Sequence, residues 1–202
     1  MKITRLFITM LPAILLSALS YGQSSQAQNY LNVPGPIAFN NSSYKLSWTS
    51  HPAANYYKQE YIPAGETAEK FKSMAILEVL TGKVSVKDIV SAKTQELKSM
   101  KSANPYVNFE SFYNKELDEY LLDFLVTANS ADNKSINIAE RNVYRYKVFT
   151  DAAGQKGVLL FAVSTRSYGK DVTKFLETLK ATKADLVNKV RQFAVPAVKI
   201  KN

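Results

Sequence analysis

Apolar and polar side chains alternate along much of this chain, which is the pattern of a β-strand with one buried and one solvated face. The first alternating stretch covers residues 44–49, and the second, residues 56–62, is rich in aromatic and β-branched side chains. Because His51 and Pro52 interrupt the pattern between these stretches, we predict a hairpin whose turn contains both residues.

Two helices separated by a short strand are predicted to follow the hairpin. Thr67 is a suitable N-cap, and the apolar residues of 68–75 would lie on one face of the helix that it opens. Residues 75–81, AILEVLT, form a short apolar run that we interpret as a strand, with continuation of the helix as the alternative. Ser85 would cap the second helix, which ends near Lys101.

The second half of the chain predicts a meander of four strands, at residues 106–113, 119–127, 136–150 and 158–166. Their short connections require antiparallel pairing, and the last strand is the most apolar, so we place it in the centre of the sheet. C-terminal helices are predicted over residues 169–195, with a break at Thr182 and Lys183, where the apolar stripe changes register.

The start of the chain predicts export. Residues 1–27 combine a short basic segment, an apolar run too short to span a membrane and a stretch of small residues, which is typical of a secretory signal peptide. We therefore predict a periplasmic or extracellular protein without a transmembrane segment in its mature chain. Residues 28–202 would form a single α+β domain, beginning with an extended arm, residues 28–41, that joins the sheet edge near Ile37.

Composition excludes several chemistries. Cysteine is absent and histidine occurs once, so disulfides, thiol catalysis, thiolate zinc sites and histidine-cluster metal sites are excluded. The seven glycines do not stand at the spacing of a phosphate loop or a nucleotide-binding motif. We predict no cofactor.

Positive charge is concentrated near the C-terminus. The chain has 26 basic and 17 acidic residues, and from Gly169 onward eight basic residues face three acidic ones. We interpret this basic segment as a solvated helix face, with weak contact with anionic surfaces as the alternative, since a basic surface attracts polyanions weakly. Because the predicted address is secretory and no recognition motif is present, we predict no binding of nucleic acid.

Together these elements predict an α+β fold, a largely antiparallel sheet of about six or seven strands packed by helices. Their order resembles the PsbP-like sandwich. The strings LNVPGPIAFN, SYKLSWTSHPAANYYKQEYIPAGETAEKF, YRYKVFTDAAGQKGVLLFAVSTRSYG and FLETLK resemble a family of secreted bacterial proteins of unknown function. That resemblance implies an extracytoplasmic Gram-negative setting and supplies no catalytic residues.

Aromatic and charged side chains on the predicted strands are the candidate ligand contacts. These candidates are Trp48, His51, Tyr57, Glu60, Asp123, Arg145, Tyr146 and Arg166. Tyrosines among basic residues suit stacking on sugars, peptides or aromatic ligands, although tyrosine also fills half-buried sheet positions. Glu60 and Asp123 would form a glycosidase-type carboxylate pair if they faced one cleft, and cross-strand ion pairs are the competing interpretation. No residue is predicted to be catalytic, since the Ser50–His51 pair lacks the glycines of a nucleophile elbow.

Three hypotheses about function follow. We expect a non-enzymatic envelope or secreted module that binds a small ligand or an envelope protein through the open sheet face or near His51. One alternative is a hydrolase of envelope polymers that uses Glu60 or Asp123. Another is an envelope scaffold whose basic C-terminal helices contact an anionic surface.

Overall fold

The computed structural model describes residues 27–132, 134–151 and 153–201. The predicted signal peptide, residues 1–27, lies outside this part of the chain except for Ala27. The described residues form eight strands, a 3₁₀ turn and two α-helices: β1 (Ile37–Phe39), β2 (Ser42–Ala53), β3 (Tyr56–Pro63), β4 (Ser73–Thr81), α1 (Val86–Ala103), β5 (Asn108–Asn114), β6 (Glu119–Asn129), β7 (Ile136–Thr150), β8 (Lys156–Tyr168), the 3₁₀ turn Gly169–Asp171, and α2 (Val172–Gln192).

All eight described strands belong to one antiparallel sheet, in the order β1-β2-β3-β4-β8-β7-β6-β5. The sheet consists of two four-stranded meanders, β1 to β4 and β5 to β8, with α1 connecting them along the chain. The meanders join where β4 pairs with β8, from Ser73 opposite Thr165 to Thr81 opposite Gly157. The predicted α+β class, the C-terminal meander and the central position of β8 are confirmed, and the strand count is higher than the predicted six or seven.

Close packing at this join requires a glycine. A Cβ atom on Gly157 would overlap the carbonyl oxygen of Leu80 and would lie 2.8 Å from the Cα of Thr81. Gly157 therefore allows β8 to start directly against the end of β4.

The two faces of the sheet carry separate cores, and each is covered by one helix. On the α2 face, residues such as Tyr61, Leu77 and Phe161 pack with Val187 and Val190 of α2. The N-terminal arm and the C-terminal segment also lie on this face, where Lys199 donates a backbone hydrogen bond to Leu31. As predicted, the arm joins the sheet edge near Ile37, and the structure pairs Ile37 with Tyr44.

On the α1 face, Ile76, Leu122 and Leu160 pack with Val90 and Leu97 of α1. This helix lies over β5, β6 and β7, so it covers only one side of the face. Neither helix of the described chain is long and apolar enough to cross a membrane.

The prediction of a helix that starts at Thr67 is wrong. Residues 64–72 form turns and bends, and the apolar residues expected on its face belong to this loop and to β4. The Glu66 carboxylate accepts hydrogen bonds from the backbone of Lys72 at 2.7 Å and of Ser73 at 3.4 Å, which fixes the loop. Pairing with β8 then holds Ser73 and its successors in an extended conformation, so the strand prevails over the helical pattern. The strand predicted at residues 75–81 is confirmed.

The predicted hairpin turn is also misplaced. Both His51 and Pro52 lie within β2, and the turn falls at Ala54 and Asn55. A register shift between Ser50 and Ala53 accommodates the proline. Because β1 reaches only the start of β2 among the described strands, Pro52 lies on a free edge, where its missing N–H costs no ladder hydrogen bond.

The second predicted helix is confirmed as α1, whose N-cap Ser85 accepts a hydrogen bond from the backbone of Asp88 at 3.1 Å. The break predicted at Thr182 and Lys183 is absent, since α2 is continuous. The Thr182 hydroxyl donates back to the Thr178 carbonyl at 3.0 Å, so this polar residue is satisfied within the helix.

Candidate functional site

A polar cleft of about 260 Å³ opens on the α1 face, between α1 and the loop 64–72. Its floor is formed by alternate residues of the central strands. The side chains at these alternate positions are polar in the floor and apolar elsewhere on this face. The polar side chains on its floor are Lys58, Glu60, Glu140, Asn142, Ser164 and Arg166. Since a sheet face that packs against a helix is normally apolar, this polar patch departs from simple core packing.

Arg166 is the first of three cations that line the polar cleft. It forms an ion pair with Glu140, its register partner on β7, and its guanidinium carbon lies 4.0 Å from the ring centroid of Phe71. Burial disfavours the charge, but the Glu140 carboxylate outweighs this cost and raises the pKa of Arg166. The guanidinium is thus a fixed, charged donor held between a carboxylate and a ring.

Lys58 has the same kind of surroundings. Its ammonium nitrogen lies 2.9 Å from Glu60, 3.5 Å from Glu78 and 5.9 Å from the ring centroid of Trp48. Burial opposes its charge, but Glu78 and Glu60 together raise the pKa of Lys58. All three ion-pairing side chains are less than one quarter exposed.

The third cation comes from the helix. On α1, Lys93 pairs with Glu96 at 2.9 Å, and its ammonium nitrogen lies 5.4 Å from the ring centroid of Phe124 on β6. Each cation of the polar cleft is thus matched by a carboxylate and an aromatic ring. With three cations and three carboxylates in its lining, the polar cleft carries no net charge.

Two uncharged donor groups of the lining have no hydrogen-bond partner among the described residues. The Ser164 hydroxyl donates to the side-chain oxygen of Asn142, while the amide nitrogen of Asn142 and the hydroxyl of Tyr144 make no hydrogen bond within the described residues. Every fully buried side-chain nitrogen or oxygen of the described chain has a hydrogen-bond partner. These two atoms have none, so they are not fully buried and are reachable from the cleft. Burial and the nearby Glu78 charge raise the pKa of Tyr144 well above its ordinary value, which keeps its hydroxyl protonated as a donor.

The structure brings three of the eight predicted contact residues to the polar cleft. Glu60 and Arg166 lie in its floor. Trp48, the register partner of Glu60, stands at its rim, where its ring centroid lies 5.9 Å from the Lys58 ammonium nitrogen, and the residue is 44% exposed. Tyr146 lies on the same face but is buried in the α1 core. The competing interpretation, that Glu60 and Asp123 belong to ion pairs, is confirmed: Glu60 pairs with Lys58 within β3, and Asp123 pairs with Arg141 across β6 and β7.

The other four predicted residues lie away from the polar cleft. Tyr57 is buried on the α2 face, and His51 stacks on it with ring centroids 4.2 Å apart. Arg145 pairs with Glu119 at 2.9 Å and donates to the backbone oxygen of Phe193 at 2.9 Å.

Asp123, the last of the four, is held by Arg141 in a two-point ion pair with distances of 3.0 and 3.1 Å. Arg141 also donates to the carbonyl oxygen of Lys183 in α2, so the pair belongs to the α2 face. Glu60 lies on the opposite face of the sheet, in the polar cleft. The two carboxylates therefore do not form the pair that a glycosidase mechanism requires.

Sequence reasoning missed several residues of the polar cleft, including Lys93 and Phe71, which reach it from α1 and from a loop. The sequence did contain a signal for other residues. Glu140 and Arg166 lie the same number of residues before and after the hairpin turn that joins β7 to β8, and so do Asn142 and Ser164. Such complementary pairs across a predicted hairpin indicate a polar patch within one sheet face.

The fold and cleft define an α+β protein with one antiparallel sheet and a charge-balanced cleft on one face. A family model matches residues 31–195, and the chain belongs to that family, which is one of uncharacterised proteins. A search of the curated proteins and a search of the solved structures each found no match.

Proposed function

We propose that this protein is an exported, non-enzymatic binding module and that its polar cleft holds a small uncharged ligand rich in hydroxyl groups, such as a monosaccharide. The observation that carries the proposal is the charge balance of the cleft, together with the two polar atoms, on Asn142 and Tyr144, that have no partner in the described chain. A ligand with both donors and acceptors would satisfy these groups without leaving a charge uncompensated.

The chemistry of the lining supports this ligand class. Carboxylates such as Glu60 and Glu140 accept hydrogen bonds from hydroxyl groups, while Arg166 and the amide of Asn142 donate them. The ring of Phe71 supplies apolar surface for the C–H face of a sugar. A simple anion would meet the three carboxylates and a simple cation would meet the three cations, so neither is favoured. The volume lies just below the usual range for ligand sites, about 300–1,000 Å³, which suits a single ring.

Export is part of the proposal and is supported by the signal-peptide pattern of residues 1–27 and by the resemblance to secreted bacterial proteins. The arrangement of one antiparallel sheet with a helix on each face also supports the PsbP-like sandwich as the fold. A periplasmic or extracellular module would meet free saccharides and envelope glycans in that setting.

Trp48 makes the proposal testable, because it is the only tryptophan of the chain and it stands at the rim of the polar cleft. Titration with hexoses, pentoses and N-acetylhexosamines should give a saturable change in tryptophan fluorescence with at least one sugar. Acetate and ethylamine, as small charged probes, should give no saturable change.

A matched pair of variants locates the binding. Tyr144→Phe removes one hydroxyl from the cleft and should weaken binding by about fivefold, the value of one hydrogen bond. Tyr113→Phe makes the same change at an exposed position on β5 and should leave binding unchanged. Absence of a saturable response to every sugar at high millimolar concentration, or equal effects of the two variants, would overturn the proposal.

A further inference from the structure

A second cleft, of about 320 Å³, lies on the α2 face between the first half of α2 and the strands β5 and β6. We call it the α2 cleft. Leu176 and Leu179 of α2 and Leu125 of β6 provide apolar walls, and all three are only partly buried. The α2 cleft is separate from the polar cleft because the sheet lies between them.

A buried cation forms part of the α2 cleft. Arg141 is 4% exposed, and its Nε and Nη2 atoms are bound by Asp123 and by the carbonyl oxygen of Lys183. Its remaining nitrogen, Nη1, makes no hydrogen bond within the described chain. Every fully buried side-chain nitrogen of the described residues has a hydrogen-bond partner. Since Nη1 has none, it is not fully buried and can be reached from outside. Such an open guanidinium donor in an apolar cleft is suited to an anionic oxygen.

The charges around the α2 cleft favour the same conclusion. Lys183 is paired with Glu110 at 2.6 Å and Arg141 with Asp123, whereas Lys180 forms no ion pair among the described residues. Three cations against two carboxylates leave a net charge of +1 in the lining. The excess of basic residues that the sequence places from Gly169 onward contributes to this positive lining.

We infer that the α2 cleft binds a small amphipathic carboxylate, such as a medium-chain fatty acid. Its carboxylate accepts hydrogen bonds from Nη1 of Arg141 and pairs with Lys180, while its hydrocarbon chain lies against Leu176 and Leu179. The combination of a charged donor at depth, a free cation at the rim and apolar walls between them matches the two parts of such a molecule. A neutral alcohol of equal length satisfies only the apolar part.

Isothermal titration with octanoate and with octan-1-ol, both below the concentrations at which they aggregate, tests the inference. Octanoate should bind with one-to-one stoichiometry, and octan-1-ol should bind at least tenfold more weakly because it lacks the charge. Octan-1-ol binding as tightly as octanoate, or absence of octanoate binding, would overturn the inference.

Two charge reversals on the same helix provide the matched control. Lys180→Glu, at the rim of the α2 cleft, should weaken octanoate binding on the order of tenfold, through lost attraction and added repulsion. Lys174→Glu makes the same charge change at an exposed position of α2 outside the lining and should leave binding unchanged. Equal losses for the two variants would show that the basic surface as a whole attracts the anion, and would contradict a site at Arg141.

The side chain of Arg141 can be tested directly by NMR. Octanoate should shift the side-chain nitrogen signals of Arg141. Arg141→Lys, if circular dichroism shows that it folds, should weaken octanoate binding several-fold, because lysine lacks the forked guanidinium that holds Asp123 at two points and leaves Nη1 for the ligand. Unchanged Arg141 signals at saturating octanoate would refute its role.

Discussion

Replacing Asp123 by asparagine tests the buried ion pair that links the sheet to α2. Asp123 is 5% exposed and Arg141 is 4% exposed, so solvent screens this pair very little. The substitution keeps the shape of the side chain but removes the negative charge, which leaves the Arg141 guanidinium buried without a counter-charge. The neighbouring hydrogen bond from Arg141 to the backbone of Lys183 remains available.

The expected loss follows from the geometry. Two hydrogen bonds, of 3.0 and 3.1 Å, join the two charged groups, and a hydrogen bond to a charged group contributes about 1.5–3 kcal/mol. The asparagine amide can accept only one of them. Breaking a buried pair by removing one partner costs about 3–5 kcal/mol, so we expect Asp123→Asn to lower the free energy of unfolding by that amount.

Urea denaturation followed by Trp48 fluorescence and by far-ultraviolet circular dichroism measures this loss. Glu110→Gln is the matched control: Glu110 is the register partner of Asp123 on β5, and its ion pair with Lys183 is largely exposed. We expect the control to cost less than about 1 kcal/mol.

The double variant Asp123→Leu with Arg141→Met should cost less than either single change, since it leaves no buried charge. Equal small losses for Asp123→Asn and Glu110→Gln would refute the reasoning. A double variant whose loss equals the sum of the two single losses would refute it as well.

Two further predictions concern the sheet and the tyrosines. Gly157→Ala should lower the melting temperature by about 6–12 °C, because the added Cβ would overlap the Leu80 carbonyl oxygen and cost about 3 kcal/mol of strain. An unchanged thermal melt would contradict the close approach of β4 and β8. Burial, together with the charge of Glu78, raises the pKa values of Tyr56, Tyr144 and Tyr146. Above about pH 10 these tyrosines ionise in the unfolded chain before they ionise in the folded protein. Their contribution to the free energy of unfolding is therefore complete below about pH 10 and falls as the pH rises above it. Urea unfolding at increasing pH should therefore show a steeper loss for the wild-type protein than for Tyr144→Phe, and equal slopes would contradict the raised pKa.

Local patterns predicted the parts of the fold that local physics decides. The strands β5 to β8 follow from period-two alternation and short connections, and α1 follows from its N-cap Ser85 and its apolar stripe. The helix expected at Thr67 failed because apolar spacing fits both a helix and a loop that packs its apolar residues. Contact with β8, some ninety residues later in the chain, decides between them at Ser73, and no local pattern contains that information.

The candidate site was predictable only in part for the same reason. Glu60, Trp48 and Arg166 were predicted because they lie on strands among aromatic and charged neighbours. Which residues of each strand face α1 depends, however, on the register between the two meanders. Asp123 therefore lies on the face opposite Glu60, where it forms a cross-strand ion pair with Arg141. Lys93 could not be placed by sequence, since its position over Phe124 depends on how α1 crosses the sheet.

A crystal structure of the protein soaked with the sugar that gives the largest Trp48 response tests the central claim most directly. The account predicts electron density for one sugar ring between α1 and the loop 64–72, with its hydroxyl groups within hydrogen-bond distance of Glu60, Asn142 and Arg166. Density for the sugar elsewhere on the protein, with an empty polar cleft, would contradict it.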